Sequence, residues 1–298
     1  MNGERTAVDR AAAQGAPATA AGSPLAETAR RLTEKDRYRR FEVGIPEGDG
    51  WIPAAQLLDR GFAAAWFERV AARSGDRRFA AGVLSRAYVS AVVLAWAFPV
   101  LAEARLPLSP LEGVRLHVGE RSRVDGVALA DPRVAVVAGD PAQGLPGISV
   151  LGSRDQLWDA LAETLAGMEP LLERVREVSG LGWPALWGEV ADQVAGSGLW
   201  LARLYGRDPW AAWDEAMSVI SRLAAREPRL RVRPRPFPVQ WRGGEELHMV
   251  RGTCCLHYRR GKAAQPGEEL YCVSCPLRPD DWRRETIRAS LEGGEGSR

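Results

Sequence analysis

Apolar residues first fall into a regular rhythm at positions 54–73, where Leu57, Leu58, Phe62, Trp66 and Val70 recur three and four places apart. That spacing lines one face of an α-helix, so the segment is predicted to be amphipathic and helical. Residues 77–104 read as a second helix, with an apolar stretch over 88–102 interrupted by Ser90 and Pro99. A membrane-spanning helix needs about 20 apolar residues. This stretch is shorter and reads as a buried core helix, with peripheral contact at the inner membrane face left open.

Between 114 and 137 the period shortens to two. Residues 114–118, 124–129 and 134–137 read as short strands parted by turns at 119–123 and at Asp131-Pro132. They predict a small antiparallel meander, which 230–240 would extend. Three further helices follow at 153–178, 184–205 and 209–226. The last opens on Asp208-Pro209, an acidic cap ahead of proline at the first helical position. The expected fold class is α+β and helix-dominated, a small antiparallel sheet with helices packed on it and a C-terminal cysteine-rich segment. The 298 residues suffice for one or two domains. They divide into an Ala/Gly/Pro-rich leader at 1–36, expected to be disordered, a body at 37–240, a cysteine segment at 241–285 and a disordered tail at 286–298.

All four cysteines, Cys254, Cys255, Cys272 and Cys275, lie in one 22-residue window. Four thiolates can close a tetrahedral zinc site, hold an iron–sulfur cluster or form two disulfides. Residues 1–22 are Ala-rich but broken by Glu4, Arg5, Asp9 and Arg10, with no continuous apolar run of a secretory signal. A chain that is not exported uses clustered cysteines for metal or redox chemistry rather than disulfides. Cys272-Val-Ser-Cys275 has the spacing of a zinc knuckle. Cys254-Cys255 does not, because neighbouring side chains of an extended segment point to opposite sides. A two-iron cluster, larger than one ion and needing two thiolates on each iron, tolerates that arrangement better. Spacing therefore ranks a two-iron cluster first, zinc second and a dithiol redox pair third.

The run Arg251-Gly-Thr-Cys-Cys-Leu-His-Tyr-Arg-Arg260, closed by Cys272-Val-Ser-Cys-Pro-Leu277, resembles the C-terminal signature of the FhuF-type ferric-siderophore reductases. That family carries Arg-x-x-Cys-Cys-Leu-x-Tyr and a closing Cys-x-x-Cys-Pro-Leu, and the resemblance covers about a tenth of the chain. It implies a [2Fe–2S] cluster bound by Cys254, Cys255, Cys272 and Cys275, and a cytoplasmic oxidoreductase that releases iron from ferric-siderophores by one-electron reduction. No phosphate-binding loop is present, and Gly196-Ser-Gly198 lacks the third glycine of a dinucleotide fingerprint. The electrons would come from an external ferredoxin or flavoprotein. One departure is the 16-residue gap between Cys255 and Cys272, longer than the family's; added loop length costs only about 0.6 kcal/mol per doubling. Two other readings remain: a non-enzymatic zinc-stapled binding module, and a protein of siderophore biosynthesis, which would need an ATP site not evident here.

Charge adds detail. From 248 to 284, seven basic residues (Arg251, Arg259, Arg260, Lys262, Arg278, Arg283 and Arg284) stand against Glu268, Glu269, Asp280 and Asp281, while the whole chain carries a net +2. A basic surround would favour the reduced cluster and attract anionic chelates or an acidic donor; the bland reading is a solvated surface. Arg229, Arg231, Arg233 and Arg235 alternate with apolar residues and proline, which places them on one side of an extended segment, either facing substrate or solvated in a linker. Near-balanced charge and no recognisable binding fold disfavour nucleic acid. His257 is a candidate ligand or a neighbour of the site, whereas His117 and His248 have no partner visible in sequence. Trp183 and Trp187 share a helical face and would either line a pocket or belong to the core.

Overall fold

The computed structural model describes residues 22–35, 40–119, 124–260 and 271–293. In chain order the elements are α1 (Pro24–Lys35), β1 (Arg40–Val43), β2 (Trp51–Pro53), a 3-10 turn (Ala54–Leu58), α2 (Arg60–Ser74), α3 (Arg77–Glu103), β3 (Arg105–Pro107), β4 (Val114–Val118), β5 (Val124–Leu129), β6 (Val134–Val137) and β7 (Ile148–Leu151). There follow α4 (Arg154–Ala166), α5 (Glu169–Ser179), α6 (Trp183–Tyr205), α7 (Pro209–Arg226), β8 (Arg235–Trp241), β9 (Gly244–Val250) and α8 (Asp280–Glu292). Of the described residues 57% are helical and 17% lie in strands, so the fold is α+β and helix-dominated.

The long helix α3 is the centre of the body. Asp76 starts it by accepting from the Phe79 amide at 2.9 Å, satisfying one of the orphan donors of its first turn. Every residue from Ala91 to Leu101 is buried, the pattern of a helix enclosed on all sides rather than on one stripe. This helix is long and apolar enough to cross a membrane, but 78% of its most apolar window is covered by the rest of the protein. Its most extensive partner is α6, which in turn packs on α7. Asp208 caps α7 through the Trp210 amide, with Pro209 at the helix start, as the dipeptide predicts.

Several predicted elements take a different form. Residues 153–178 form two helices: α4 stops before Gly167, and Pro170, which lacks an amide hydrogen, sits in the opening turn of α5. The single meander is not formed. β4 and β5 are antiparallel neighbours, but β1 and β2 complete their sheet in the order β1-β5-β4-β2, with β1 parallel to β5. β6 joins a second sheet, ordered β3-β6-β7. The turn after β5 explains the parting. Asp131 accepts from the Arg133 amide at 3.0 Å, and the Arg133 carbonyl accepts from Leu108, carrying β6 away from β5 towards β3. Residues 230–240 add to neither sheet; β8 pairs with β9 in a separate hairpin, from Arg235 opposite Val250 to Trp241 opposite Gly244.

The segment boundaries also shift. Residues 24–35, inside the expected disordered leader, form α1, with Leu25, Ala29 and Leu32 buried. The Thr28 hydroxyl donates to Glu103 at 2.6 Å, and Arg31 donates to both oxygens of the same carboxylate. The average composition of the leader hides this short periodic stretch. Residues 1–21 lie outside the described residues. At the other end α8 runs through the start of the expected tail to Glu292. Ile287 and Leu291 join Phe237, Val239 and Val250 in a small second core. The hairpin and α8 thus form one unit with the cysteine segment, and a boundary at 240/241 would cut through β8.

Leu25 is fully enclosed. Leu25→Ala is expected to lower stability by about 2–5 kcal/mol in urea unfolding, the range for a buried leucine; a change within about 0.5 kcal/mol would mean that α1 is not docked.

Candidate metal centre

Two chain segments meet at the sulfurs. The first leaves β9 as Arg251-Gly-Thr-Cys254-Cys255, and the second is the turn Cys272–Cys275 ahead of α8, closed by the Cys275 amide donating to the Cys272 carbonyl at 3.0 Å. Arg251 joins the two through its backbone, its amide donating to the Ser274 carbonyl at 2.9 Å. All four thiols are free of disulfides. The sulfurs pair across the segments: Cys255 lies 3.8 Å from Cys272, and Cys254 interacts side chain to side chain with Cys275. Cys255 and Cys275 are buried, and Cys254 and Cys272 are half-buried. Leu256, at φ 58°, takes the left-handed conformation. The chain bends back there, the Leu256 amide donating to Cys254 sulfur at 3.4 Å and the His257 amide to Cys255 sulfur. That bend reconciles an adjacent cysteine pair with a shared site.

The first segment is anchored to the helical body. Asp192 on α6, enclosed on every side, accepts from the Gly252 amide (2.7 Å), the Thr253 amide (3.1 Å), the Thr253 hydroxyl (2.6 Å) and Arg251 Nε (3.2 Å). Glu189, one turn earlier, pairs with the other end of the Arg251 guanidinium and accepts from Gln193 at 2.8 Å. Four donors on one carboxylate are what a buried charge needs. Gly82 on α3 supplies the opposite wall: a Cβ there would lie 2.5 Å from the Cys255 carbonyl oxygen, so only glycine lets the helix approach this closely. The second segment hangs on Arg283 of α8. This wholly buried arginine donates to the carbonyls of Val273 (2.9 Å), Cys275 (2.6 Å) and Arg278 (3.0 Å) and pairs with Asp280.

The electrostatics favour thiolate at one sulfur of the close pair. The Cys272 thiol, hydrogen-bonded to Cys255, pulls the Cys255 pKa down to about 5; burial opposes this, and the His257 amide, Arg86 and Arg251 assist. Cys272 is pushed up by the same shared proton and by burial. Burial raises Cys254. Arg251 loses solvation on burial, yet Glu189, Asp192, Cys255 and Cys272 hold it charged. Thiolates that share protons across segments and receive amide hydrogens form a donor set for a soft or borderline metal. Among the described residues no group of three or more His, Cys, Asp or Glu side chains is arranged around a single ion. Cys255 and Cys272 are in hydrogen-bond reach, and Cys254 and Cys275 interact with each other and with that pair.

The basic residues counted around the cysteines do not form one charged face. Arg251 and Arg283 are interior ion-paired groups, Arg259 pairs with Asp76 at 2.9 Å, and Arg284 with Asp281 at 2.8 Å. Arg278 lies over the rings of Tyr271 and Trp282. Lys262 and the middle of the Cys255–Cys272 gap lie outside the described residues. The arginine row is also divided, since Arg229 pairs with Glu227 and Glu169, and Arg235 with Asp280, leaving Arg231 and Arg233 exposed. His257 packs at a tilt near Phe79 and contributes its amide to the site. His117 pairs with Asp125 at 2.6 Å in the first sheet, and His248 is half-buried near Arg203 and Glu246 with its pKa lowered to about 4, chiefly by loss of solvation. Trp187 is a core residue, and Trp183 lies under Arg229 at 4.1 Å. Clefts of about 230 Å³ (Glu103, Arg154, Trp158 and Arg207) and about 510 Å³ (Arg203, Arg207, Glu245 and Glu246) open elsewhere, neither lined by a cysteine or by those tryptophans.

Asp192, Glu189, Gly82 and Arg86 are site residues that motif reading passes over. A signal existed for two of them: Glu189 and Asp192 are charges three apart within the long apolar run of α6, and buried charges need partners. No family model, curated protein or solved structure matches the chain.

Asp192→Ala leaves the Gly252 and Thr253 amides without their acceptor while Arg251 keeps Glu189, and is expected to cost about 1–3 kcal/mol in chemical denaturation, as for buried donors left unsatisfied. Gly82→Ala should cost about 1–3 kcal/mol by overpacking against the Cys255 backbone; a neutral result for either would mean that the cysteine loop is not seated as described.

Proposed function

We propose that this chain is a ferric-siderophore reductase whose four cysteines hold a [2Fe–2S] cluster, Cys255 with Cys272 on one side and Cys254 with Cys275 on the other. The observation that carries the reading is the cross-pairing of the sulfurs. A two-iron cluster takes two thiolates at each iron, whereas a structural zinc ion takes four ligands around one point. When bound, such a cluster accepts and gives up single electrons at potentials reaching to about −400 mV in the plant-type centres.

The chain's own residues supply the setting. The Leu256 and His257 amides donate to ligand sulfurs, as hydrogen bonds that tune a cluster do. Each proposed pair has one buried sulfur, Cys255 or Cys275, and one half-buried sulfur, Cys272 or Cys254, so both pairs lie near a surface where a bound chelate or a donor protein can come close. Exposed Val273 and Leu277 flank the closing cysteines, and exposed Arg231 and Arg233 lie on the segment whose backbone packs on Gly252. These offer apolar and cationic contacts to an anionic chelate or an acidic donor.

The balance of the reaction is simple. One electron from an external ferredoxin or flavoprotein reaches ferric iron in the chelate, and ferrous iron with its lower charge is held more weakly by hard oxygen donors. No nucleophile or general acid is required. On this reading the protein works in the cytoplasm, where imported chelate and donor would meet.

Anaerobically purified protein is expected to contain iron and acid-labile sulfide, to bleach on one-electron reduction and to regain colour on adding a ferric-siderophore. Cys272→Ser should abolish the chromophore. Zinc alone in a colourless protein would overturn the proposal in favour of a stapled, non-enzymatic module.

A further inference from the structure

Helix α3 faces the cysteine pair with more than the cleft at Gly82. Arg86 lies one turn further on, and residues four apart share a helix face. The same helix contacts the turn that follows Cys255. Arg86 is half-buried and its charge reaches Cys255. Unlike Arg251, Arg259, Arg283 and Arg284, it makes no ion pair or side-chain hydrogen bond with any described residue. Arg251 is closer to the sulfurs in sequence, but Glu189 and Asp192 set two negative charges against its one positive charge. The basic excess of the C-terminal segment is largely cancelled in this way. Among the described residues, Arg86 is a cation from the body that reaches the sulfurs without a carboxylate partner.

We infer that Arg86 tunes the reduction potential of this centre, its guanidinium, which has no carboxylate partner among the described residues, favouring the extra negative charge of the reduced state. The inference rests on the cluster reading given above. Adding one electron makes a thiolate-ligated centre more negative, and a fixed cation at low dielectric stabilises that state more than the oxidised one. Removal of the charge shifts the centre towards oxidation. A change that keeps the charge does not. Arg86 touches neither donor nor chelate in this role; it acts through the cysteine ligands.

The test uses the full chain, purified anaerobically as wild type and as Arg86→Lys, Arg86→Gln and Arg86→Met. Iron and acid-labile sulfide are assayed first, and the midpoint potential is then read from absorbance in a dye-mediated titration. Arg86→Lys is expected to match the wild type. The two neutral variants are expected to hold the same iron per chain, with the oxidised-to-reduced ratio at fixed potential raised by up to about tenfold, which for one electron is about 59 mV. A loaded neutral variant with the wild-type potential overturns the inference, and so does Arg86→Lys shifting as far as Arg86→Gln. Loss of iron from both neutral variants would make Arg86 a builder of the site rather than its tuner, and overturns it likewise. Wild type holding zinc alone sinks the cluster reading itself, a result distinct from a loaded wild type whose variants do not shift.

Discussion

The buried carboxylate of Asp192 gathers four donors from three consecutive residues, Arg251, Gly252 and Thr253, immediately ahead of the cysteine pair. A charge so enclosed is tolerated only when its lone pairs are filled, and the observed pose of that loop fills them. The ionic knot with Arg251 and Glu189 is therefore a constraint on geometry more than a source of stability, since a buried pair gains little over apolar packing of the same volume. Its consequence reaches the sulfurs directly. With Gly252 and Thr253 held on α6, and the Cys255 carbonyl pressed into the notch at Gly82 on α3, the pair has one place to go.

The second half of the site is built differently. Arg283 spends its donors on the carbonyls of the Cys272–Cys275 turn and its continuation, and α8 is itself seated by Ile287 and Leu291 on the β8–β9 hairpin. One cysteine pair is fixed by the body and the other by the C-terminal unit. The site lies on the seam between them, so its thiols come together only when hairpin, α8 and α6 are assembled. Two sulfurs from each side then meet crosswise, which suits a centre with two metals and two thiolates apiece.

Charge placement follows the same logic. A count of basic residues near the cysteines suggests a cationic surface, yet most of those side chains serve as internal struts or ring-stacked neighbours. Arg251 and Arg259 find their carboxylates on α6 and at the start of α3, far away in sequence, whereas Arg283 and Arg284 find theirs three residues earlier on α8. The field felt by the sulfurs is therefore decided by which cations lack such a partner. Among the described residues Arg86, well outside the cysteine segment, is one of them.

Local patterns announced much of this protein. Leu57, Trp66 and Val70 marked a helical region, Asp208-Pro209 marked a helix start, and the alternation at 114–118 and 124–129 marked strands, because capping, proline sterics and side-chain period act within a few residues. The cysteine quartet was legible for the same reason. Pairing was not legible: alternation shows that 134–137 is a strand but does not say that β3 and β7 are its neighbours. Likewise α1 was lost in a leader whose composition outweighs three well-spaced apolar side chains. By itself the chain determined its elements and its set of sulfur donors. Tertiary structure alone decided the crosswise meeting of the sulfurs, the Asp192 anchor, the notch at Gly82 and the place of Arg86 beside the cysteine pair, since each depends on groups that only packing brings together.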